Sequence, residues 1–92
     1  MIRSFADKHT ETLFRDISVP KFKNIESVAR RKLVFLNQAR HLSDLKSPPN
    51  NCLEALKGDR GGTYSIRINK QWRLCFVWRK NDAYEVEIVD YH

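Results

Sequence analysis

Glycine and proline are scarce, with three of each in 92 residues. That excludes a collagen-like or low-complexity chain. Cysteine is scarcer: only Cys52 and Cys75 are present. They have no metal-ligand spacing, and in a cytosolic chain two such thiols are expected reduced rather than bridged. His9, His41 and His92 are too dispersed for a zinc motif. Long apolar runs are absent. Stretches such as Leu33-Val34-Phe35-Leu36 fall far short of the ~18 residues that span a bilayer. The opening Met1-Ile2-Arg3-Ser4-Phe5 lacks the apolar region and cleavage site of a signal peptide. A cytoplasmic protein with no membrane contact is therefore expected. No glycine-rich phosphate loop and no nucleophile elbow occur, so nothing supports an ATPase, a dehydrogenase or a metalloprotease. No cofactor and no metal are expected. Acidic residues are outnumbered, 11 against 17 basic, for a net charge of +6. That balance favours an anionic partner, either nucleic acid or an acidic protein.

What is present is enough for one small domain over residues 1–92, since 41% of the chain is hydrophobic and 11% aromatic. Residues 2–5 alternate and read as a short strand. Asp7 is a candidate N-cap for a helix over residues 8–17, with Thr10, Leu13, Phe14 and Ile17 on one stripe. After Pro20 a longer helix is predicted over residues 23–41. Val28, Ala29, Leu33, Phe35, Leu36 and their neighbours Ile25 and Ala39 fill an arc of roughly 160°. Val34 lies off that arc and is a candidate partner contact. Arg30 and Arg31 read as outward-facing, and Lys32 as snorkelling beside the stripe.

Ser47-Pro48-Pro49-Asn50-Asn51 ends the helical half, and the period then changes to two. Residues 52–56 form a short strand candidate and residues 58–62 a turn. Residues 63–69 place Tyr64, Ile66 and Ile68 opposite Ser65 and Arg67. Residues 72–79 place Trp72, Leu74, Phe76 and Trp78 opposite Arg73, Cys75, Val77 and Arg79. Residues 83–91 place Tyr84, Val86 and Ile88 opposite Glu85, Glu87, Val89 and Tyr91. Short connections make these three strands an antiparallel meander. The expected fold is a two-layer α+β domain: a helical hairpin on one sheet face, with Arg67, Arg73, Arg79, Glu85 and Glu87 on an open face.

Several groups could carry chemistry. Arg73, held on a strand, is suited to stabilising charge on a phosphorane. It could equally pair with Glu85 or Glu87 across the strands, a role that suits Arg67 better. Asp90, Tyr91 and His92 end the last strand. His92 can move protons near neutral pH, or the three can be a solvated terminus. Glu54 could accept a proton and Lys57 contact a phosphate, or both could be surface charges. The run Arg30-Arg31-Lys32 is either a solvated helix face or a contact for RNA or an acidic protein.

Together these segments resemble a known family. Leu56-Lys57-Gly58-Asp59-Arg60, Tyr64-Ser65-Ile66-Arg67-Ile68-Asn69, Gln71-Trp72-Arg73-Leu74-Cys75-Phe76 and Ile88-Val89-Asp90-Tyr91-His92 are similar to the HigB toxins of the RelE/ParE superfamily. The Trp-Arg strand followed by Asp-Tyr-His is the most specific part. The resemblance covers essentially the whole chain.

It implies a RelE-like fold and a toxin of a type II toxin–antitoxin pair that cuts mRNA in the ribosomal A site. The implied partners are the ribosome with mRNA in its A site and a HigA-like helix-turn-helix antitoxin. Operator DNA is contacted only through the antitoxin. By position, Arg73 would stabilise the scissile phosphate, Tyr91 and His92 would serve cleavage beside Asp90, and Lys57 would lie at the cleft. Arg60, Arg67 and Arg79 are the further RNA-binding candidates. Glu54 stands where some relatives carry His within a His-Pro-Leu-Lys segment. A carboxylate also accepts a proton, though with a lower ordinary pKa than imidazole. The implied chemistry is metal-independent attack by the ribose 2′-hydroxyl. Two alternatives are a ParE-like toxin acting on DNA gyrase, against which the Asp90-Tyr91-His92 ending argues, and a non-catalytic basic binding module.

Overall fold

A computed structural model describes residues 1–56 and 62–90. Helix α1 spans Lys8–Phe14. Asp7 caps it in an extended conformation, its carboxylate accepting from the backbone N–H of His9 and Thr10. The helix stops short of residue 17 because Asp16 turns into the left-handed region, with φ +69°. Ile17 consequently leaves the predicted stripe and is 56% exposed. A 3-10 turn at Pro20–Phe22 precedes helix α2, Glu26–Gln38. This is shorter than residues 23–41, since Ile25 and Ala39 both have non-helical backbone. Its inward face is as expected: Ala29, Leu33 and Leu36 are buried, as are the flanking Ile25 and Ala39, and Val34 is exposed. Arg30 is not simply outward. Its Nε donates to the Leu13 carbonyl at 3.1 Å and lies 3.3 Å from Asp16 Oδ1, tying α2 to the end of α1. An unforeseen 3-10 turn, Leu42–Lys46, follows, with the Asp44 carboxylate accepting from the N–H of Arg40 and His41.

The sheet contains β1 (Glu54–Ala55), β2 (Thr63–Arg67), β3 (Trp72–Arg79) and β4 (Asp82–Asp90) in that order, each pair antiparallel. The expected α+β meander is thus present. Residues 2–5 join β4 in parallel through two isolated bridges, Ile2 to Ala83 and Phe5 to Val86, rather than as a continuous strand. The helices cover the face carrying Ile66, Leu74, Phe76, Val86 and Ile88, all buried with Leu13, Phe22, Leu33 and Leu36. Trp72 and Trp78 pack against this core, Trp72 edge-on to Phe22 at 5.6 Å.

Two sheet expectations are corrected. Tyr84 does not share a face with Val86 and Ile88. A bulge between Cys75 and Val77 sets two β4 residues against one of β3, and Glu85 takes φ +50°. Tyr84 is thereby paired with Val77, under the Arg79 guanidinium at 4.5 Å from the ring centroid. The second sheet face is also not uniformly open: Ser65, Arg73 and Cys75 are buried. Cys52 and Cys75 are not joined by a disulfide. Among the described residues, no helix is long and apolar enough to cross a membrane.

Candidate functional site

The connection between β2 and β3 decides what the second face presents. Asn69 Oδ1 accepts from the backbone N–H of Gln71 and Trp72, each at 2.8 Å, closing a tight turn. The resulting register sets Arg67 directly opposite Arg73. Like charges opposed across two strands are unfavourable unless something anionic stands between or above them.

Arg73 is only 9% exposed, so its charge must be met inside the protein. Its Nε donates to Ser65 Oγ at 2.9 Å, and its Nη2 donates to the Cys52 carbonyl at 2.5 Å and the Ser65 carbonyl at 3.4 Å. These acceptors fix the guanidinium plane. Nη1 lies 3.9 Å from Glu54 Oε1, close enough for charge pairing but too long for a strong hydrogen bond. The pairing of Glu54 with Ser65 brings this carboxylate to Arg73. Cross-strand pairing of Arg73 or Arg67 with Glu85 or Glu87 is not what forms: Arg73 is paired with Val89 and Cys75 with Glu87.

Cys52, Glu54, Arg67, Asn69, Lys70 and Arg73 line one cavity of about 310 Å³. Three cations and one carboxylate therefore face the same small space. Such a site can hold an oxyanion on fixed N–H donors while a carboxylate accepts a proton beside it. Among the described residues, no three His, Cys, Asp or Glu side chains cluster as metal ligands.

The structure brings Glu54, Arg73 and Arg67 together. It does not bring Arg79 to them. That residue lies six positions along β3, about 20 Å away at the rise of a strand, against Tyr84. Asp90 is paired with Trp72 and so has the opposite strand parity from Val89 and Arg73. It does not line this cavity, and its Oδ2 accepts from Gln71 Nε2 at 3.0 Å at the sheet end. Lys57, Arg60, Tyr91 and His92 lie outside the described residues. Sequence reasoning missed the Ser65 hydroxyl and the Cys52 carbonyl, which hold Arg73, and Lys70 in the turn. The facing of Arg67 and Arg73 could have been found by counting outward from the Asn69-Lys70-Gln71 connection.

Comparison with known proteins converges on one family. Residues 3–92 match a family model described as the RelE-like toxin of type II toxin-antitoxin system HigB. The chain is 41% identical over 80 residues to Toxin HigB-1 of Vibrio cholerae serotype O1, spanning 85% of this chain and 84% of that one. It is 33% identical over 95 aligned residues to Endoribonuclease HigB of Proteus vulgaris, covering 100% of both. Its fold is similar to a chain of the YoeB-YefM complex from Staphylococcus aureus, with a TM-score of 0.61 at 20% identity over 100% of this chain and 98% of that one.

Proposed function

Because the chain belongs to the HigB family of RelE-like toxins of type II toxin–antitoxin systems, we propose that it is an endoribonuclease that cuts mRNA in the ribosomal A site. The observation that carries this reading is the fixed Arg73 guanidinium, facing Arg67 and 3.9 Å from the Glu54 carboxylate in one cavity. The name of the Proteus vulgaris relative, an endoribonuclease, supports it.

In the proposed reaction the ribose 2′-hydroxyl gives its proton to Glu54 or His92. The 2′-oxygen attacks the adjacent phosphorus, and the negative charge that grows on the phosphoryl oxygens is met by Arg73 and Lys57. The bond from phosphorus to the 5′-oxygen breaks as His92 or Tyr91 supplies that oxygen with a proton. The products are a 2′,3′-cyclic phosphate and a 5′-hydroxyl. Asp90, beside the last two residues, would steady them. Arg60 and Arg67 would meet flanking RNA. The proposed role of Arg79 is a peripheral RNA contact, since it stands apart from the cavity. The ribosome supplies the bound mRNA. A HigA-like helix-turn-helix antitoxin is the proposed neutralising partner, contacting operator DNA itself and meeting the toxin near Val34, exposed on α2.

The test uses purified protein and ribosomes programmed with a defined mRNA, with naked mRNA as control and cut ends mapped by primer extension. Cuts confined to the A-site codon, present only with ribosomes, are expected. Arg73→Ala should reduce them by about 10²-fold or more, and removal of His92 should abolish them. Growth arrest without any cut would overturn the reading and direct attention to gyrase or another target.

A further inference from the structure

The cavity that holds Arg73 does not end there. It shares Arg67 and Asn69 with a second cavity of about 400 Å³, whose far wall is Arg31 and Lys32 of α2 with Asn50. That one shares Arg31, Lys32 and Asn50 with a third of about 240 Å³, walled by Phe35 and Pro48. Through these shared walls the three adjoin one another as a groove from Glu54 along the β2–β3 turn to the side of α2. Among the described residues, Glu54 is the one acidic side chain that lines it. Arg31, Lys32, Arg67 and Lys70 make no ion pair with any described residue.

Lys32 is more than a surface lysine. Its ammonium donates to Oδ1 of Asn51, a buried side chain whose own amide donates to the carbonyls of Leu45 and Ser47, each at 3.3 Å. A buried amide thus holds the charge at a set position on the groove wall. Burial, and then the neighbouring Arg31, lower the Lys32 pKa, while Cys52 opposes them. Packing Arg31, Lys32 and Arg67 together with no described carboxylate paired to them favours an incoming anion. Val28 and Lys32, and likewise Arg31 and Phe35, are four residues apart and share a strip of α2. The strip therefore sets two cations, Arg31 and Lys32, beside the half-buried ring of Phe35, a pairing of features that single-stranded nucleic acid binds.

We propose that this groove is an extended subsite for single-stranded RNA. Arg31, Lys32 and Arg67 hold the phosphate of a nucleotide flanking the scissile one, and Phe35 with Pro48 seats the next base. The inference rests on the endoribonuclease reading and names where the substrate strand runs beyond the reacting phosphate.

The experiment measures fluorescence anisotropy of labelled 2′-O-methyl oligoribonucleotides, which cannot be cut because the nucleophile is blocked. A dinucleotide and a hexanucleotide are titrated with wild type and with Arg31→Ala/Lys32→Gln. Glutamine retains an amide donor for Asn51, and a matching circular dichroism spectrum and melt establish the fold. Wild type is expected to bind the hexamer about tenfold or more tightly than the dimer, the worth of one charge-assisted contact. The double variant should lose that gain, bind the dimer as wild type does, and flatten the log–log salt slope for the hexamer by about 0.7, the worth of one lost phosphate contact. An undiminished length gain in the variant would overturn the proposal. Equal binding of an oligoglutamate would overturn it in favour of an acidic protein segment. Loss of binding to vacant ribosomes, with the oligonucleotide gain intact, would overturn it in favour of ribosomal RNA. Failure of the parent reading looks different: wild type would leave programmed ribosomes uncut whatever the oligonucleotides show.

Discussion

A buried guanidinium must find acceptors within the protein or forfeit its hydration. Among the described residues Arg73 finds three, and their directions matter as much as their number. A lysine at this place would keep the charge but not the planar fork. Arg73→Lys is therefore expected to lose cleavage by about 10²-fold and to lower stability by about 1–3 kcal/mol, the cost of leaving buried acceptors unmet. Urea melts and A-site cleavage on programmed ribosomes measure the two effects separately. Full activity in this variant would mean that charge alone suffices. With Glu54 as the base, Glu54→Gln should lower the rate of A-site cleavage while leaving binding of uncleavable RNA intact, as cleavage assays beside anisotropy would show. The sequence made the strand, its parity and the arginine legible. It did not reveal that Cys52 and Glu54 fold over Arg73, because those contacts join residues 21 and 19 positions apart and leave no periodic trace.

Among the elements, α1 is seven residues long and would not persist alone. Its first turn is tied to the sheet through a relay. Thr10 Oγ1 donates to Asp7 Oδ2 at 2.8 Å and accepts from the Ile88 N–H at 3.0 Å. Asp7→Ala should therefore cost more than an exposed cap, about 1–2 kcal/mol, and should speed hydrogen exchange at Ile88 as well as within α1. Normal protection at Ile88 in that variant would break the relay. Asp7 was legible as a cap because an aspartate before an apolar stripe satisfies orphan N–H groups. The early end of α1 was not, since nothing local to Asp16 demands a left-handed turn. Nor was the bulge at Glu85. An alternating pattern continues through an inserted residue with its phase reversed, so Tyr84 looked continuous with Val86. The inserted residue shows only in three dimensions, where Ser4 Oγ accepts from the Glu85 N–H at 2.9 Å.

Across the whole molecule, residues 1–6 run along β4 and hold its outer edge. Asp82 secures that segment through the Met1 ammonium and Arg3, each at 3.1 Å. Hydrogen bonds first from the N-terminal ammonium and then from Arg3 lower the Asp82 pKa. Backbone N–H groups of His41 and then Arg40 lower that of Asp44. For Asp7, burial raises the pKa, but the hydrogen bonds from Thr10 and His9 outweigh it and the net shift is downward. Each folded-state pKa thus lies below the unfolded value. The stabilisation is complete above the ordinary carboxylate pKa, about 3.9, and is lost as pH falls through the depressed folded values. Melting temperatures should hold between pH 7 and 5 and drop below about pH 4. Asp82→Asn should soften that drop, and an unaltered acid profile in the variant would remove Asp82 from the effect.

The facing arginines carry a consequence for how the protein is handled and kept. Two opposed guanidinium groups raise the free energy of the empty fold more than that of the occupied one, so occupancy and folding are linked. The toxin should therefore be at its least durable when idle. Any polyanion resting in its groove, whether a nucleic-acid fragment carried through purification or a multivalent buffer ion, would act as a preservative. A preparation stripped of such passengers would be the purest and also the most perishable.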